Sequence, residues 1–153
     1  SPLFHVAGGS RVFTTTVAGG THATIPRFEP ALFLEAIQTY RVTVTVVVPT
    51  MLNALLQYPE LDRYDLSSLE LLTYGASPMP EALLRQAMQR FPGIAFLQSY
   101  GMTELSPVSH CMPDDRPDLD LNSSGVALPN IVCKLVDPET GEIVAEKDQS
   151  LTD

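Results

Sequence analysis

The sequence predicts an α/β fold in which a parallel sheet is flanked by helices and followed by a short antiparallel β segment. Between residues 28 and 100, short apolar and β-branched runs alternate with stretches whose apolar residues recur at helical spacing. Prolines and glycines stand at the junctions between these stretches. A strand–helix–strand–helix–strand order is typical of crossover connections, which place successive strands parallel in one sheet.

The first predicted elements are a helix and a strand. Residues 30–40 are predicted as a helix because their apolar residues share one helical face. This face carries Phe33, Ala36, Ile37 and Tyr40. Residues 42–48 are short and rich in valine and threonine, which is typical of a strand covered on both faces.

A second helix and a second strand follow. Pro49 suits the first position of a helix, where its missing N–H leaves no intrahelical hydrogen bond unmade. The apolar residues of this helix are Met51, Leu52, Leu55 and Leu56. Residues 69–74 form another short apolar run, which predicts the next strand.

A third helix and a third strand complete the alternation. Ser77 is a candidate N-cap, with Pro78 and Pro80 in the first helical turn. The helix is predicted to end at residue 91. Its apolar face carries Leu84, Met88 and Phe91. Residues 94–100 are predicted as the last parallel strand.

The remainder of the chain has a different pattern. Residues 101–124 are polar and show little periodicity, and a loop of this length is uncommon in compact domains unless it is functional. Residues 131–136 and 142–145 predict two strands, joined by the turn Asp-Pro-Glu-Thr-Gly at residues 137–141. We expect this hairpin to form a separate antiparallel layer.

Length and composition suit ordinary globular packing. The chain has 153 residues, of which 44% are hydrophobic and 18% charged, so it is long enough to bury a core and is not of the disordered class. We predict two partial subdomains, an α/β part at residues 1–124 and the start of a β part at residues 125–153. The chain begins without methionine, and we expect it to be a piece of a larger protein.

Charge and cysteine content exclude several classes of protein. A net charge of −9 argues against a nucleic-acid partner, which needs a basic surface. Cys111 and Cys133 are too few for a disulfide framework and lack the spacing of metal ligands, so we expect reduced thiols in a cytoplasmic protein. No apolar run reaches the roughly 18 residues of a membrane span, which leaves only peripheral membrane contact open.

Ligands of parallel α/β sheets bind beyond the carboxyl ends of the strands, and two such ends carry suitable residues. The first is the turn formed by Gly75, Ala76 and Ser77. Its small residues let a ligand approach the backbone, and the helix that follows offers its N-terminus to an anion. A plain tight turn between a strand and a helix is the alternative for this segment taken alone.

The second strand end is the segment Ser-Tyr-Gly-Met-Thr-Glu at residues 99–104. It presents an aromatic ring at Tyr100, a hydroxyl at Thr103 and a carboxylate at Glu104. A nucleotide base can stack on the ring, the hydroxyl can bind a phosphate oxygen, and the carboxylate can hold Mg²⁺. The alternative is a capped loop with a solvated glutamate.

Five segments resemble, in the same order, motifs of the adenylate-forming (acyl-activating, AMP-binding) superfamily. Residues 100–104 resemble its Tyr-Gly-x-Thr-Glu signature. The other four resemble Pro-Leu-Phe-His-x-x-Gly, Val-Pro-Thr-x-Leu, a Gly-Gly-Ala-Pro-like loop and Gly-Ser-x-Gly-x-Pro-x-Pro-Gly, and they stand at residues 2–8, 48–52, 74–79 and 122–130. Asn122 and Ala127 depart from the glycine and the proline usual in the last motif. The segments look closest to those of fatty acyl-CoA synthetases and related CoA ligases.

The resemblance implies an ATP-dependent enzyme that joins a carboxylic acid, here a fatty acid, to coenzyme A. In the reaction of this superfamily, the acid attacks the α-phosphate of ATP to give an acyl-adenylate and pyrophosphate. The thiol of coenzyme A then displaces AMP. Because ATP is a polyanion, such a site works by positioning and charge neutralisation rather than by a side-chain nucleophile.

The resemblance also implies roles for individual residues. Glu104 would bind Mg²⁺ and Thr103 would bind the α-phosphate, and these two are the candidate catalytic residues. The candidate nucleotide-binding residues are Gly75, Ala76, Ser77, Ser99, Tyr100, Gly101, Met102 and Thr103. The candidate residues for the acyl substrate are His5, Ala76, Gly101 and Met102. His22 and His110 match no motif and are interpreted as surface or packing residues.

Several parts of the superfamily's machinery are not among these residues. They are the phosphate loop that ends in Pro-Lys-Gly, the Thr-Gly-Asp segment, and the hinge and lysine of the C-terminal domain. We therefore expect the chain to be the middle of a large N-terminal domain and to be inactive by itself. A nucleotide-binding α/β module without catalysis is the alternative. A dinucleotide enzyme is a third hypothesis, but its Gly-x-Gly-x-x-Gly motif is absent.

Overall fold

The computed structural model describes residues 3–105, 108–112, 123–129 and 131–148. The helices of these ranges are α1 (Val6–Val17), α2 (Pro30–Tyr40), α3 (Pro49–Leu56) and α4 (Glu81–Arg90). The strands are β1 (Val44–Val47), β2 (Leu71–Gly75), β3 (Ala95–Gly101), β4 (Val108–Cys111), β5 (Val126–Ala127), β6 (Val132–Val136) and β7 (Ile143–Asp148). Two short 3₁₀ turns lie at Leu61–Arg63 and Thr103–Leu105.

The described strands form two sheets. The larger has the strand order β1–β2–β3–β4–β5, and its first three strands are parallel and connected through α3 and α4. This confirms the predicted α/β class. β4 runs antiparallel to β3, and β5 runs antiparallel to β4. β6 and β7 form a separate antiparallel sheet, as the hairpin pattern predicted. The subdomain boundary at residue 125 stays a prediction.

One face of the larger sheet, which we call the core face, carries the hydrophobic core. Alternation along β2 and β3 places Leu72, Tyr74 and Phe96 on this face. They are buried with apolar residues of three helices: Leu34 and Ile37 of α2, Leu52 and Leu55 of α3, and Leu84 and Ala87 of α4. Burial of one large aliphatic side chain contributes about 1.5–3 kcal/mol, so these contacts anchor α2, α3 and α4 to the sheet.

The opposite face, which we call the open face, carries both apolar and small polar side chains. It carries Thr73, Leu97, Ser99 and Cys111, which pair with one another across β2, β3 and β4. None of the four belongs to the hydrophobic core. Helix α1 has no buried residue and reaches this face through the side chain of Arg11. The open face therefore lacks the apolar contacts that hold the other helices.

The bounds of α2 and the start of α3 at Pro49 match the prediction, but two predicted apolar faces need correction. In α2, Tyr40 is 67% exposed and Leu34 is buried in its place, because the helix ends at Tyr40 where the chain turns toward β1. In α4, Met88 is 42% exposed and Ala87 is buried. Ala87 follows the buried Leu84 at i+3, which places it on the same helical face.

The predicted start of α4 is wrong. The helix begins at Glu81 with Pro80 as its N-cap, so Ser77 is not the cap and neither proline lies in the first turn. A residue that precedes proline is biased away from the helical region, and both Ser77 and Met79 precede prolines. The helix therefore starts only after both prolines, and Pro80 itself is extended, with φ −60° and ψ 128°.

Three elements occupy segments for which no element was predicted. Helix α1 lies in the first 28 residues, and β4 lies inside the stretch interpreted as a loop, residues 101–124. The third, β5, is only two residues long and pairs with β4. Residues 106–107 and 113–122 of that stretch lie outside the described residues.

Candidate functional site

The two predicted strand ends lie side by side at the carboxyl edge of the parallel strands. Gly75 at the end of β2 pairs with Ser99 of β3. A Cβ added to Gly75 would lie 2.2 Å from the Ser99 carbonyl oxygen, a distance that real Cβ atoms essentially never show. Glycine is thus required where the two strand ends meet, and the structure brings the two candidate segments together.

The turn after β2 holds a strained alanine. Ala76 has a φ of +65°, the left-handed conformation that favours glycine. Ala76 and Ser77 are exposed, so the turn is open to a ligand. The predicted helix N-terminus is not at Ser77, because α4 begins four residues later, at Glu81. The turn itself therefore does not offer a helix N-terminus to an anion.

The strain at Ala76 leads to a stability prediction. Ala76→Gly should raise the free energy of unfolding by about 0.5–1 kcal/mol, because relief of the left-handed strain outweighs the entropy that glycine adds to the unfolded chain. Urea unfolding measures this change. Ala36→Gly, inside α2, is the matched control and should lower stability by about 1 kcal/mol. Equal losses in both variants would contradict a left-handed backbone at Ala76.

Tyr100 lies at the end of β3 and is 44% exposed. Its ring packs edge-on against the ring of His110 in β4, with 5.8 Å between the ring centroids. His110 is itself held by hydrogen bonds to Ser109 Oγ (2.9 Å) and Cys133 Sγ (3.3 Å). His110 thus fixes the ring of a candidate site residue. His110 was interpreted as a surface or packing residue, and it packs here; no sequence signal identified Tyr100 as its contact.

The segment after Tyr100 presents two polar side chains. A β-bulge between Tyr100 and Gly101 interrupts the pairing with β4, and Thr103–Leu105 then form a single 3₁₀ turn closed by the Leu105 N–H on the Met102 carbonyl (3.0 Å). Met102, Thr103 and Glu104 are exposed. Among the described residues, neither the Thr103 hydroxyl nor the Glu104 carboxylate has a hydrogen-bond partner, so both are available to a ligand.

The ligand atoms at this site suit Mg²⁺ only when the ion is bound together with a nucleotide. The described residues contain no group of three or more histidine, cysteine, aspartate or glutamate side chains that together would hold a metal. Glu104 stands as a single exposed carboxylate. Mg²⁺ is commonly held by one or two carboxylates together with waters and substrate phosphates. Glu104 therefore suits a metal ion that arrives with a nucleotide.

His5 lies apart from the two strand ends in the contacts that the structure describes. It is the N-cap of α1, where its Nδ1 accepts a hydrogen bond from the Ala7 N–H (3.5 Å) and its carbonyl accepts from Gly8 and Gly9. These contacts explain its place in the fold. Its predicted role at the acyl substrate stays a prediction.

The sequence interpretation also missed Arg11. Its Nη2 atom donates a 2.6 Å hydrogen bond to Thr73 Oγ1 on the open face of the sheet. Burial lowers the pKa of the Arg11 guanidinium, and burial raises the pKa of the nearby Cys111 thiol, which the Arg11 charge partly offsets. No sequence signal pointed to this contact, since α1 itself was not predicted.

A cleft of about 410 Å³ lies elsewhere on the described part of the chain. It is lined by residues before β2, at the end of α4 and before β3, among them Leu69, Phe91 and Ile94. These positions are at the amino ends of the parallel strands, opposite the end where ligands of such sheets bind. Its charged residues, Asp62 and Arg90, are paired with each other. The strand-end site remains the candidate.

Comparison with known proteins gives consistent matches. The family model described as AMP-binding enzyme matches residues 1–149. The 4-coumarate–CoA ligase 2 of Oryza sativa subsp. japonica is 39% identical over 144 residues, which cover 92% of this chain and 25% of that enzyme. The chain thus spans about a quarter of the length of the curated relatives it matches.

Solved structures match the fold. The luciferase-like enzyme from the nonluminescent Zophobas morio mealworm superposes with a TM-score of 0.84 at 29% identity, over 95% of this chain and 35% of that one. A long-chain-fatty-acid-CoA ligase from Archaeoglobus fulgidus superposes with a TM-score of 0.81 at 26% identity, over 95% of this chain and 31% of that one.

Proposed function

The chain belongs to the AMP-binding enzyme family, and from that premise we propose that it is part of a larger ATP-dependent ligase that joins a carboxylic acid to coenzyme A. The observation that carries this proposal is the strand-end site. There the exposed Tyr100 at the end of β3 and the exposed Thr103 and Glu104 just after β3 lie beside the open turn after Gly75. An aromatic ring, a hydroxyl and a carboxylate in this order suit the base, the phosphate and the metal of an ATP complex.

The proposed mechanism assigns one task to each group of the site. The ring of Tyr100, held by His110, binds the adenine base by stacking. The Thr103 hydroxyl donates a hydrogen bond to an α-phosphate oxygen, and the Glu104 carboxylate would hold a Mg²⁺ ion that arrives with ATP. Such an ion would supply charge neutralisation for the phosphates. The small residues Gly75 and Ala76 let the acid and the nucleotide approach the backbone closely.

The reaction needs no protein nucleophile. The carboxylate oxygen of the acid attacks the α-phosphorus of ATP, pyrophosphate leaves with its electron pair, and the acyl-adenylate remains. The thiolate of coenzyme A then attacks the acyl carbon, and AMP leaves. Positioning and charge neutralisation supply the rate enhancement in such a phosphate reaction.

The acid itself is left at the level of a carboxylic acid. The name of the Archaeoglobus enzyme supports the predicted fatty acid, whereas the names of the plant relatives support an aromatic acid. No described helix has the length and apolar character needed to cross a membrane. The free thiols of Cys111 and Cys133 are compatible with a cytoplasmic enzyme, which we keep as part of the proposal.

ATP–pyrophosphate exchange by the full-length protein tests the proposed function. Exchange that depends on an added acid, measured across short, medium, long-chain and aromatic acids, is the expected result. ATP binding without exchange for any acid would instead support a nucleotide-binding module without catalysis. Isothermal titration with ATP separates this module from a protein that does not bind ATP at all.

The isolated chain is expected to be inactive. Its net charge is −9, and its two lysines, Lys134 and Lys147, lie in the hairpin strands β6 and β7. The lysines of the phosphate loop and of the C-terminal domain, which the family resemblance implies for the phosphates of ATP, are not among these residues. We expect no acyl-adenylate and at most weak ATP binding from residues 1–153, measured by pyrophosphate release. Release by highly purified chain would show that no further segment is required.

A further inference from the structure

Arg11 differs from the other arginines of the described residues. Five of them pair with a carboxylate: Arg27, Arg41, Arg63, Arg85 and Arg90. These pairs are largely exposed, and their partners lie on the surface. Arg11 has no carboxylate partner among the described residues. Its guanidinium is partly buried, and this burial lowers its pKa. A half-buried guanidinium with no paired carboxylate among the described residues is free to bind an anion from a ligand.

The Arg11 guanidinium is held in one place on the open face. Thr73, which is only 1% exposed, accepts a 2.6 Å hydrogen bond from Arg11 Nη2. The Thr73 hydroxyl in turn donates to the Thr45 carbonyl at 3.1 Å. This chain of two hydrogen bonds fixes the guanidinium over the middle of β2. A guanidinium has five N–H donors, so most of its hydrogen-bonding capacity remains for a ligand.

The position of Arg11 relates it to the strand-end site. Thr73 and Gly75 point to the same face of β2, two residues apart, which places them about 7 Å apart along the strand. A molecule that extends from the turn after Gly75 along the open face would therefore reach the Arg11 guanidinium after about 7 Å. The side chains beside this path, Leu97, Ser99 and Cys111, are small or only partly buried.

We propose that Arg11 binds a second carboxylate at the far end of the acid, so that the preferred substrate is a dicarboxylic acid of short or medium length. This inference rests on the proposed function and narrows it. A carboxylate forms two parallel hydrogen bonds with a guanidinium, and such charge-assisted pairs are about twice as strong as neutral ones. An apolar chain in the same place would remove water from the cation without pairing it, which is unfavourable.

Paired acids of equal length test the proposal in the full-length protein. Adipate is compared with hexanoate, and suberate with octanoate, by ATP–pyrophosphate exchange. We expect the diacid of each pair to have the higher kcat/KM. Arg11→Leu should raise the KM of the diacid about 10- to 100-fold, the effect of one charge-assisted hydrogen-bonded pair, and should favour the monoacid. The KM for ATP should be unchanged.

Two further variants serve as a second test of Arg11 and as a control. Arg11→Gln keeps a donor for Thr73 but removes the charge, and it should show the same loss of diacid preference if Arg11→Leu fails to fold. Arg85→Leu removes an exposed arginine of α4 and should leave both acids unaffected. A wild-type preference for the monoacids would overturn the proposal, as would an equal loss for both acids in the Arg11 variants.

Calorimetric titration of adipate without ATP separates this inference from the proposed function. If no acid supports exchange, the ligase proposal fails, but the titration still decides the role of Arg11. Diacid binding that is lost in Arg11→Gln and retained in Arg85→Leu would support the second-carboxylate site. Absence of adipate binding to the wild-type protein would overturn it.

Discussion

Glu104→Gln in the full-length protein is expected to lower turnover by about 10²-fold or more. The substitution keeps the size of the side chain but removes the negative charge that we assign to Mg²⁺ on the phosphates of ATP. Pyrophosphate exchange at saturating acid measures the loss. The variant should also need more Mg²⁺ for half-maximal rate, because its amide is a weaker ligand for a hard cation than a carboxylate.

Stability should change little in the same variant. Glu104 is exposed and has no hydrogen-bond partner among the described residues, so its replacement should alter the free energy of unfolding by no more than about 0.5 kcal/mol. Glu35→Gln makes the same chemical change on the exposed side of α2 and should leave turnover unaffected. Normal turnover with a normal Mg²⁺ requirement in Glu104→Gln would make Glu104 a solvated loop residue.

The parallel part of the fold was predictable because its signals are local. Residues 30–40 and the helix from Pro49 repeat apolar side chains at helical spacing, and the valine-rich run before Pro49 suits a buried strand. Each of these segments contributes side chains to the hydrophobic core, so the spacing of its apolar residues indicates which side is buried. Pattern and packing therefore agree for the two helices. Strand β1 is shorter than the predicted residues 42–48 and is not covered on both faces, since Val47 is buried but Val44 is 46% exposed.

Helix α1 and strand β4 were not predicted because their stability comes from other parts of the chain. Within α1, Gly8 and Gly9 and a run of threonines have low helix propensity, and no residue of the helix is buried. Strand β4 has only four residues and pairs with β3 and β5. The low helix propensity of α1 and the shortness of β4 therefore explain why neither element was predicted.

The candidate site also has one part that the sequence predicted and another part that it did not. Its contiguous part, from Ser99 to Glu104, follows one strand end and could be predicted from chemistry and resemblance. His110 contacts Tyr100 from β4, and Arg11 of α1 binds Thr73, two residues before Gly75; the sequence predicted neither β4 nor α1. Their contacts depend on strand pairing and on the open face of the sheet. The order of residues alone does not contain this information.

Gly75→Ala is expected to affect both stability and the site. The added Cβ would lie 2.2 Å from the Ser99 carbonyl oxygen and 3.3 Å from Ser99 Oγ, and the nearer atom is backbone, which cannot rotate away. The ends of β2 and β3 must therefore separate. Overpacking of this kind costs about 1–3 kcal/mol, which urea unfolding would measure as a lower free energy of unfolding.

Gly141→Ala is the matched control for this prediction. Gly141 lies in the hairpin turn with a φ of +74° and no atom within 4 Å of an added Cβ, so alanine there adds backbone strain without a clash. Its stability loss should be about 1 kcal/mol, with no change in the KM for ATP. Gly75→Ala should lose more stability and should also raise the KM for ATP in the full-length protein, because the two strand ends that line the proposed nucleotide site move apart. A stability loss at Gly75 with an unchanged KM for ATP would place the nucleotide elsewhere than between these strand ends.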